Sequence, residues 1–133
     1  MPKVDKYRGK MIGDLSDMKL DAFLPMLTSR ARRTMTRSAS KSINVKKLMK
    51  KVAAIKAKNP AQVIKTQVRE AVIIPEWLGL TFAVHNGKEF KNVMISVDKL
   101  GYRLGDFAHT TSRVLHSGPG VGATRGSKFI PLK

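Results

Sequence analysis

Leu78-Gly79-Leu80-Thr81-Phe82-Ala83-Val84-His85 and Lys88-Glu89-Phe90-Lys91-Asn92-Val93-Met94-Ile95-Ser96-Val97 are two β-prone runs joined by Asn86-Gly87. Asn-Gly between such runs is the strongest short-range hairpin signal, because both residues tolerate the positive φ of a type I′ turn. A two-residue turn would pair His85 with Lys88, Val84 with Glu89 and Leu80 with Val93. Side chains alternate along a strand, so Leu78, Leu80, Phe82, Val93, Ile95 and Val97 would share one face. A hairpin alone is marginal in water, so other elements must cover that face. Asp98-Lys99-Leu100 suits a short turn closed by Gly101, after which Leu104 and Phe107 would seal the apolar side.

On the N-terminal side, Val72-Ile73-Ile74 is a short β-prone run and a candidate third strand. Pro75-Glu76-Trp77-Leu78 suits one helical turn with Pro at its first position, and Trp77 is expected in the core. Val45, Leu48, Met49, Val52 and Ile55 recur at helical spacing, predicting an amphipathic helix from about 44 to 58, capped by Ser42 or Asn44 and ended by Asn59-Pro60. Lys46, Lys47, Lys50 and Lys51 crowd its first turns, where they oppose the helix dipole and repel one another. That local cost makes sense if phosphates neutralise them. Arg30-Ala31-Arg32-Arg33-Thr34-Met35-Thr36-Arg37-Ser38-Ala39-Ser40-Lys41 holds five cations, no acid and several small hydroxyls, which suits contact with the phosphates of RNA or DNA, the alternative being a solvated basic linker. Asp17 is placed to cap a short helix through Leu20, Phe23 and Leu24, which Pro25 interrupts; Met26, Leu27 and Ala31 continue its apolar stripe. Residues 1–13 read as a mobile basic arm.

The charge is unevenly spread. The chain has 133 residues and a net charge of +17. Residues 1–65 carry 17 Lys/Arg against 4 Asp/Glu, residues 66–107 carry 5 against 5, and residues 108–133 carry 4 against none. The expected organisation is therefore a basic N-terminal extension with short helices (1–65), a neutral α+β core (66–107) and an extended Gly/Pro-rich basic tail (108–133). The fold class is α+β, a small hairpin-based sheet packed with short helices. Such an excess of positive charge in a small protein implies a polyanionic partner. The absence of cysteine excludes disulfides and cysteine metal sites. There is no apolar run of membrane-spanning length and no signal-peptide core, which gives the expectation of an intracellular protein outside the membrane. His85, His109 and His116 are scattered and lack partner carboxylates. No metal site, cofactor or catalytic set is expected, and the chain does not read as an enzyme.

The residues then match a family. Ile74-Pro75-Glu76, Val84-His85-Asn86-Gly87-Lys88, and Leu100-Gly101 with Leu104-Gly105-Asp106-Phe107 resemble the universal small-subunit ribosomal protein S-nineteen. The tail, Gly118-Pro119-Gly120-Val121-Gly122-Ala123-Thr124-Arg125 and Ser127-Lys128-Phe129-Ile130-Pro131-Leu132-Lys133, resembles its archaeal and eukaryotic (S-fifteen) branch, as does Arg30-Ala31-Arg32-Arg33. Tyr102 stands where the family usually has His, Gly126 where it has Ser, and Thr110-Thr111 with Arg113 where it has Thr-Arg. The resemblance implies a small α+β protein on the head of the small subunit. It would bind small-subunit rRNA beside the ribosomal protein S-thirteen, with its tail directed toward the decoding centre and the A-site and P-site tRNAs.

The cations expected at rRNA are Arg30, Arg32, Arg33, Arg37, Lys41, Lys46, Lys47, Lys50, Lys51, Lys65, Arg69, Lys88, Arg103 and Arg113. Arg125, Lys128 and Lys133 would serve the tail's contacts. RNA helices are recognised mostly by shape, so sequence readout is not required of them. The alternatives are a basic chromatin-type DNA-binding protein and a membrane-surface module. The first wants a recognition helix, whereas the 44–58 helix offers only lysines and aliphatics. The second wants aromatic residues on the apolar face, which that helix lacks.

Overall fold

The computed structural model describes residues 6–115 together with Gly118 and Gly126, and of residues 38–41 the backbone alone. The elements are β1 (Lys6–Tyr7), β2 (Lys10–Met11), α1 (Ile12–Ser16), α2 (Leu20–Phe23), α3 (Ser29–Lys41), α4 (Ile43–Lys58), β3 (Ile64–Thr66), β4 (Thr81–His85) and β5 (Phe90–Met94). Single 3-10 turns lie at Leu24–Met26, Pro75–Trp77, Val97–Lys99 and Leu104–Phe107. The α+β class read from the sequence is the one observed.

The hairpin forms with a different register. His85 faces Phe90, Val84 faces Lys91 and Phe82 faces Val93, so the loop is the four residues Asn86–Glu89. Asn86 is the cause. Its Oδ1 accepts hydrogen bonds from the backbone N–H groups of Lys88 (3.0 Å) and Glu89 (2.9 Å), and only Gly87 takes a positive φ, of 106°. The type I′ turn expected at Asn86-Gly87 is therefore absent. The slip is by two residues, which preserves the side-chain alternation. Leu80, Phe82, Val93, Ile95 and Val97 are all buried on the expected face, with Leu78 half-buried at its end.

A type I′ turn lies elsewhere. Arg8 (φ 47°) and Gly9 (φ 85°) link the pair Tyr7–Lys10. Residues 6–11 are thus a small hairpin and 12–16 a helical turn, in place of the expected mobile arm. Tyr7 holds it down, with its ring 5.8 Å from that of Phe23. Asp17 ends α1, and the cap of α2 is Lys19. The basic run from Arg30 is neither linker nor loop but part of the thirteen-residue α3, because Ala31 and Met35 fall one turn apart and are buried in the same hydrophobic cluster as Leu27 and Phe23.

The third strand of the sheet is Ile64–Thr66, parallel to β4 with Ile64 beside Phe82 and Thr66 beside Val84. The candidate strand Val72–Ile74 instead runs against residues 101–104. Ile73 N–H donates to Tyr102 O (2.8 Å), Gly101 N–H to Ile73 O (3.1 Å) and Leu104 N–H to Ala71 O (3.0 Å). Ala71 through Pro75 are all buried, which suits a segment sandwiched between layers rather than a sheet edge. The α4 stripe is as expected: Val45, Leu48 and Val52 are buried and Met49 and Ile55 half-buried. Ser42 sits at the N-cap, although its hydroxyl donates to Glu70 Oε1 (3.1 Å) instead of capping the helix. Trp77 is buried, 5.1 Å from Phe82. One hydrophobic cluster runs from Leu15 to Ala108. The compositional boundary at 65/66 falls inside β3, and the cluster draws on both sides of it.

Candidate nucleic-acid interface

The core dictates where the cations stand. On α3, burial of Ala31 and Met35 leaves Arg30, Arg33 and Arg37 exposed along one stripe at i, i+3, i+7. On α4, burial of Val45, Leu48 and Val52 turns Lys46, Lys47, Lys50 and Lys51 outward. Each helix therefore holds its positive charges on a backbone fixed from the opposite side, and no residue within 22–69 is acidic. Lys65 projects from β3, Lys88 from the hairpin loop and Arg113 from the segment after the core, all exposed. The side chain of Lys41, and Arg125, Lys128 and Lys133 of the tail, lie outside the described residues.

Among the described residues, Arg69 and Arg32 are expected cations whose guanidinium groups each tie several backbone carbonyls of the fold together. Arg69 is half-buried, and its guanidinium donates to His85 O (2.6 Å), Gly105 O (2.9 Å) and Ala108 O (2.6 Å), tying the hairpin tip to the end of the core. Arg32 donates through Nε to Leu24 O (3.1 Å) and through an NH2 group to Pro25 O (3.2 Å) and Leu27 O (3.2 Å), satisfying carbonyls at the end of a 3-10 turn. In sequence alone, an arginine in a basic run carries no mark of such a role. Lys51 is intermediate: it is exposed, yet Nζ donates to Lys65 O (2.8 Å) and staples α4 to β3.

Two clefts gather cations with aromatic side chains. The first, about 550 Å³, brings Arg8, Arg30 and Arg103 together with Tyr7, Tyr102 and Gly101. Arg103 is positioned from both sides. Its backbone N–H donates to Asp106 Oδ2 (2.9 Å), and its guanidinium donates to Thr34 Oγ1 (3.4 Å). Arg30 and Arg103, distant in sequence, are thus brought to one site. Arg8 and the two tyrosines are not among the cations and rings expected from sequence, since Arg-Gly is not a recognisable turn signal and Tyr7 falls in an apparent arm. The second cleft, about 380 Å³, lies between α4 and β3 and is lined by Lys47, Lys51 and Lys65 with Asn44, Gln67 and Phe90.

Among the described residues there is no group of three or more His, Cys, Asp or Glu able to hold a metal ion, and no helix is long and apolar enough to cross a membrane. Arginines and lysines fixed on helical faces, in clefts that also present aromatic rings, are the equipment for binding a phosphate-bearing polymer. The class that fold and charge define is a small basic α+β protein with its cations on fixed, exposed faces.

Comparison with known proteins narrows the class. The family model described as "Ribosomal protein S19" matches residues 34–116. The small ribosomal subunit protein uS19 of Methanococcus maripaludis strain C7 is 42% identical over 133 aligned residues, covering 96% of this chain and 81% of the relative. Its counterpart in strain C5 is 41% identical over 130 residues, with the same coverage of each. The chain belongs to the ribosomal protein S19 family. By family it is a small-subunit ribosomal protein and not an enzyme.

Proposed function

We propose that the chain is a structural component of the small-subunit head in the cytoplasmic ribosome, binding small-subunit rRNA through its phosphates. Arg30, Arg33 and Arg37 of α3 and Lys46, Lys47, Lys50 and Lys51 of α4 make the main contacts, with Lys65, Lys88, Arg103, Arg113 and Lys41 adding to them. Arg69 and Arg32 act by holding the fold. The carrying observation is that α3 and α4 pack their apolar faces into the common core, which leaves both cationic faces exposed. A neighbouring protein of the S-thirteen family docks on the neutral platform. A groove of about 410 Å³ between α4 and the Pro75–Trp77 turn, lined by Leu20, Met49, Ala53, Ile74 and Trp77 together with Lys56 and Glu76, supports that part of the reading. The tail, through Arg125, Lys128 and Lys133, runs toward the decoding centre and the A-site and P-site tRNAs.

Salt dependence tests the role of the phosphates. The affinity for small-subunit rRNA is measured against salt concentration for the wild type and for the triple variant Arg30→Ala/Arg33→Ala/Arg37→Ala. The log–log slope is expected to fall by about 0.7–0.9 for each phosphate that is no longer neutralised. An unchanged slope contradicts the assignment of α3.

A further inference from the structure

We propose that the cleft between α4 and β3 receives a single unpaired nucleotide of the bound RNA, taken by its base against Phe90. The inference rests on the RNA binding proposed above and goes beyond it, because neutralising phosphates alone needs no aromatic wall. Phe90 opens β5 with 41% of its surface exposed. Its ring is buttressed by His85, edge-on at 4.9 Å and 69°. The Lys65 ammonium stands over the ring at 5.9 Å, the outer reach of a cation–π contact. A flexible lysine there can swing from the ring to the phosphate of a nucleotide that stacks in its place.

The rest of the cleft fits the same occupant. Its volume, about 380 Å³, is that of a small-ligand site. Its floor is firm: Lys51 staples α4 to β3, and Thr66 Oγ1 accepts from Val68 N–H (3.1 Å), ordering the segment that carries Gln67. Asn44 and Gln67 are exposed and each offers a donor and an acceptor, which suits the edge of a base. Lys47, Lys51 and Lys65 line it with no carboxylate among them, so the occupant is anionic. A paired base in an A-form helix shows neither face, so the base must be unpaired.

The test uses the full chain and two RNA probes at physiological salt: a duplex interrupted by one unpaired 2-aminopurine, and the same duplex fully paired. The wild type is expected to prefer the bulged probe by about 5- to 150-fold, the range for one base stacked on one aromatic ring, and to quench the probe's fluorescence. Phe90→Leu is expected to abolish both preference and quenching while binding the paired duplex as before, and Phe90→Tyr to keep both. Gln67→Ala, an exposed residue of the same cleft, is expected to reduce the preference while leaving Phe90 in place. Equal binding of both probes by the wild type, or an undiminished preference in Phe90→Leu, overturns the pocket and leaves RNA binding standing. Failure to bind either probe overturns both.

Discussion

Replacing Arg69 separates a cation that holds the fold from one that holds RNA. Its guanidinium donates to three carbonyls on two segments, at 2.6, 2.9 and 2.6 Å. A hydrogen bond to a charged group contributes about 1.5–3 kcal/mol, and a buried acceptor left without a donor costs about 1–3 kcal/mol. Ala108 is fully buried, whereas His85 and Gly105 are half-buried and within reach of replacement water. One acceptor thus suffers the whole penalty and two a part of it, so Arg69→Ala is expected to destabilise by about 2–4 kcal/mol. At about 4 °C per kcal/mol for a domain of this size, the midpoint of thermal unfolding falls by about 8–16 °C. Arg69→Lys keeps the charge but not the fork, and is expected to recover less than half of the stability. The assay is thermal unfolding followed by circular dichroism, beside the salt dependence of rRNA affinity measured below the transition. The slope is expected to stay at the wild-type value. A variant that melts within about 2 °C of the wild type, but whose slope falls by the amount due to one phosphate, would refute the internal role.

Other expectations follow from close packing and from the turns. A Cβ at Gly105 would lie 3.0 Å from Arg69 Cβ and 3.1 Å from Arg69 O, so Gly105→Ala is expected to lower stability by about 1–3 kcal/mol in the same melt. Arg8 holds a φ of 47°, which asparagine adopts more readily; Arg8→Asn is expected to raise the melting midpoint by a few degrees while weakening RNA binding. Leu15 is fully buried in the shared cluster, so Leu15→Ala is expected to cost about 2–5 kcal/mol. It should also shift Trp77 fluorescence and helical dichroism together. A helical signal that melts apart from Trp77 would contradict one common core.

Sequence periodicity locates what depends on it. The apolar hairpin face survives a change of register because a two-residue slip leaves alternation intact, and the α4 stripe and the Pro75 turn rest on equally local rules. The register itself is not legible, because the Asn86 carboxamide captures two backbone donors while the Asn-Gly pair suggests another turn. Helix α3 is hidden by its composition: among its described side chains, the apolar Ala31 and Met35 mark the buried side amid arginines and threonines. Strand β3 is hidden because Ile64 and Thr66 are buried through tertiary neighbours, β4 and α4 among them, that local pattern does not show. Positive charge points to a polyanionic partner, but it does not distinguish Arg33, which faces outward, from Arg32, which faces its own carbonyls. Arg8, Tyr102 and Phe90 reach their clefts through tertiary packing, which leaves no trace in local pattern.

Ribosome association is the most direct test of the central claim. A tagged full-length chain is sedimented from cell lysate on a sucrose gradient in magnesium buffer at moderate salt. Co-migration with small subunits and whole ribosomes, persisting after DNase and abolished by RNase, is the expected result. A chain that stays at the top of the gradient, or that follows chromatin and is released by DNase, would contradict it.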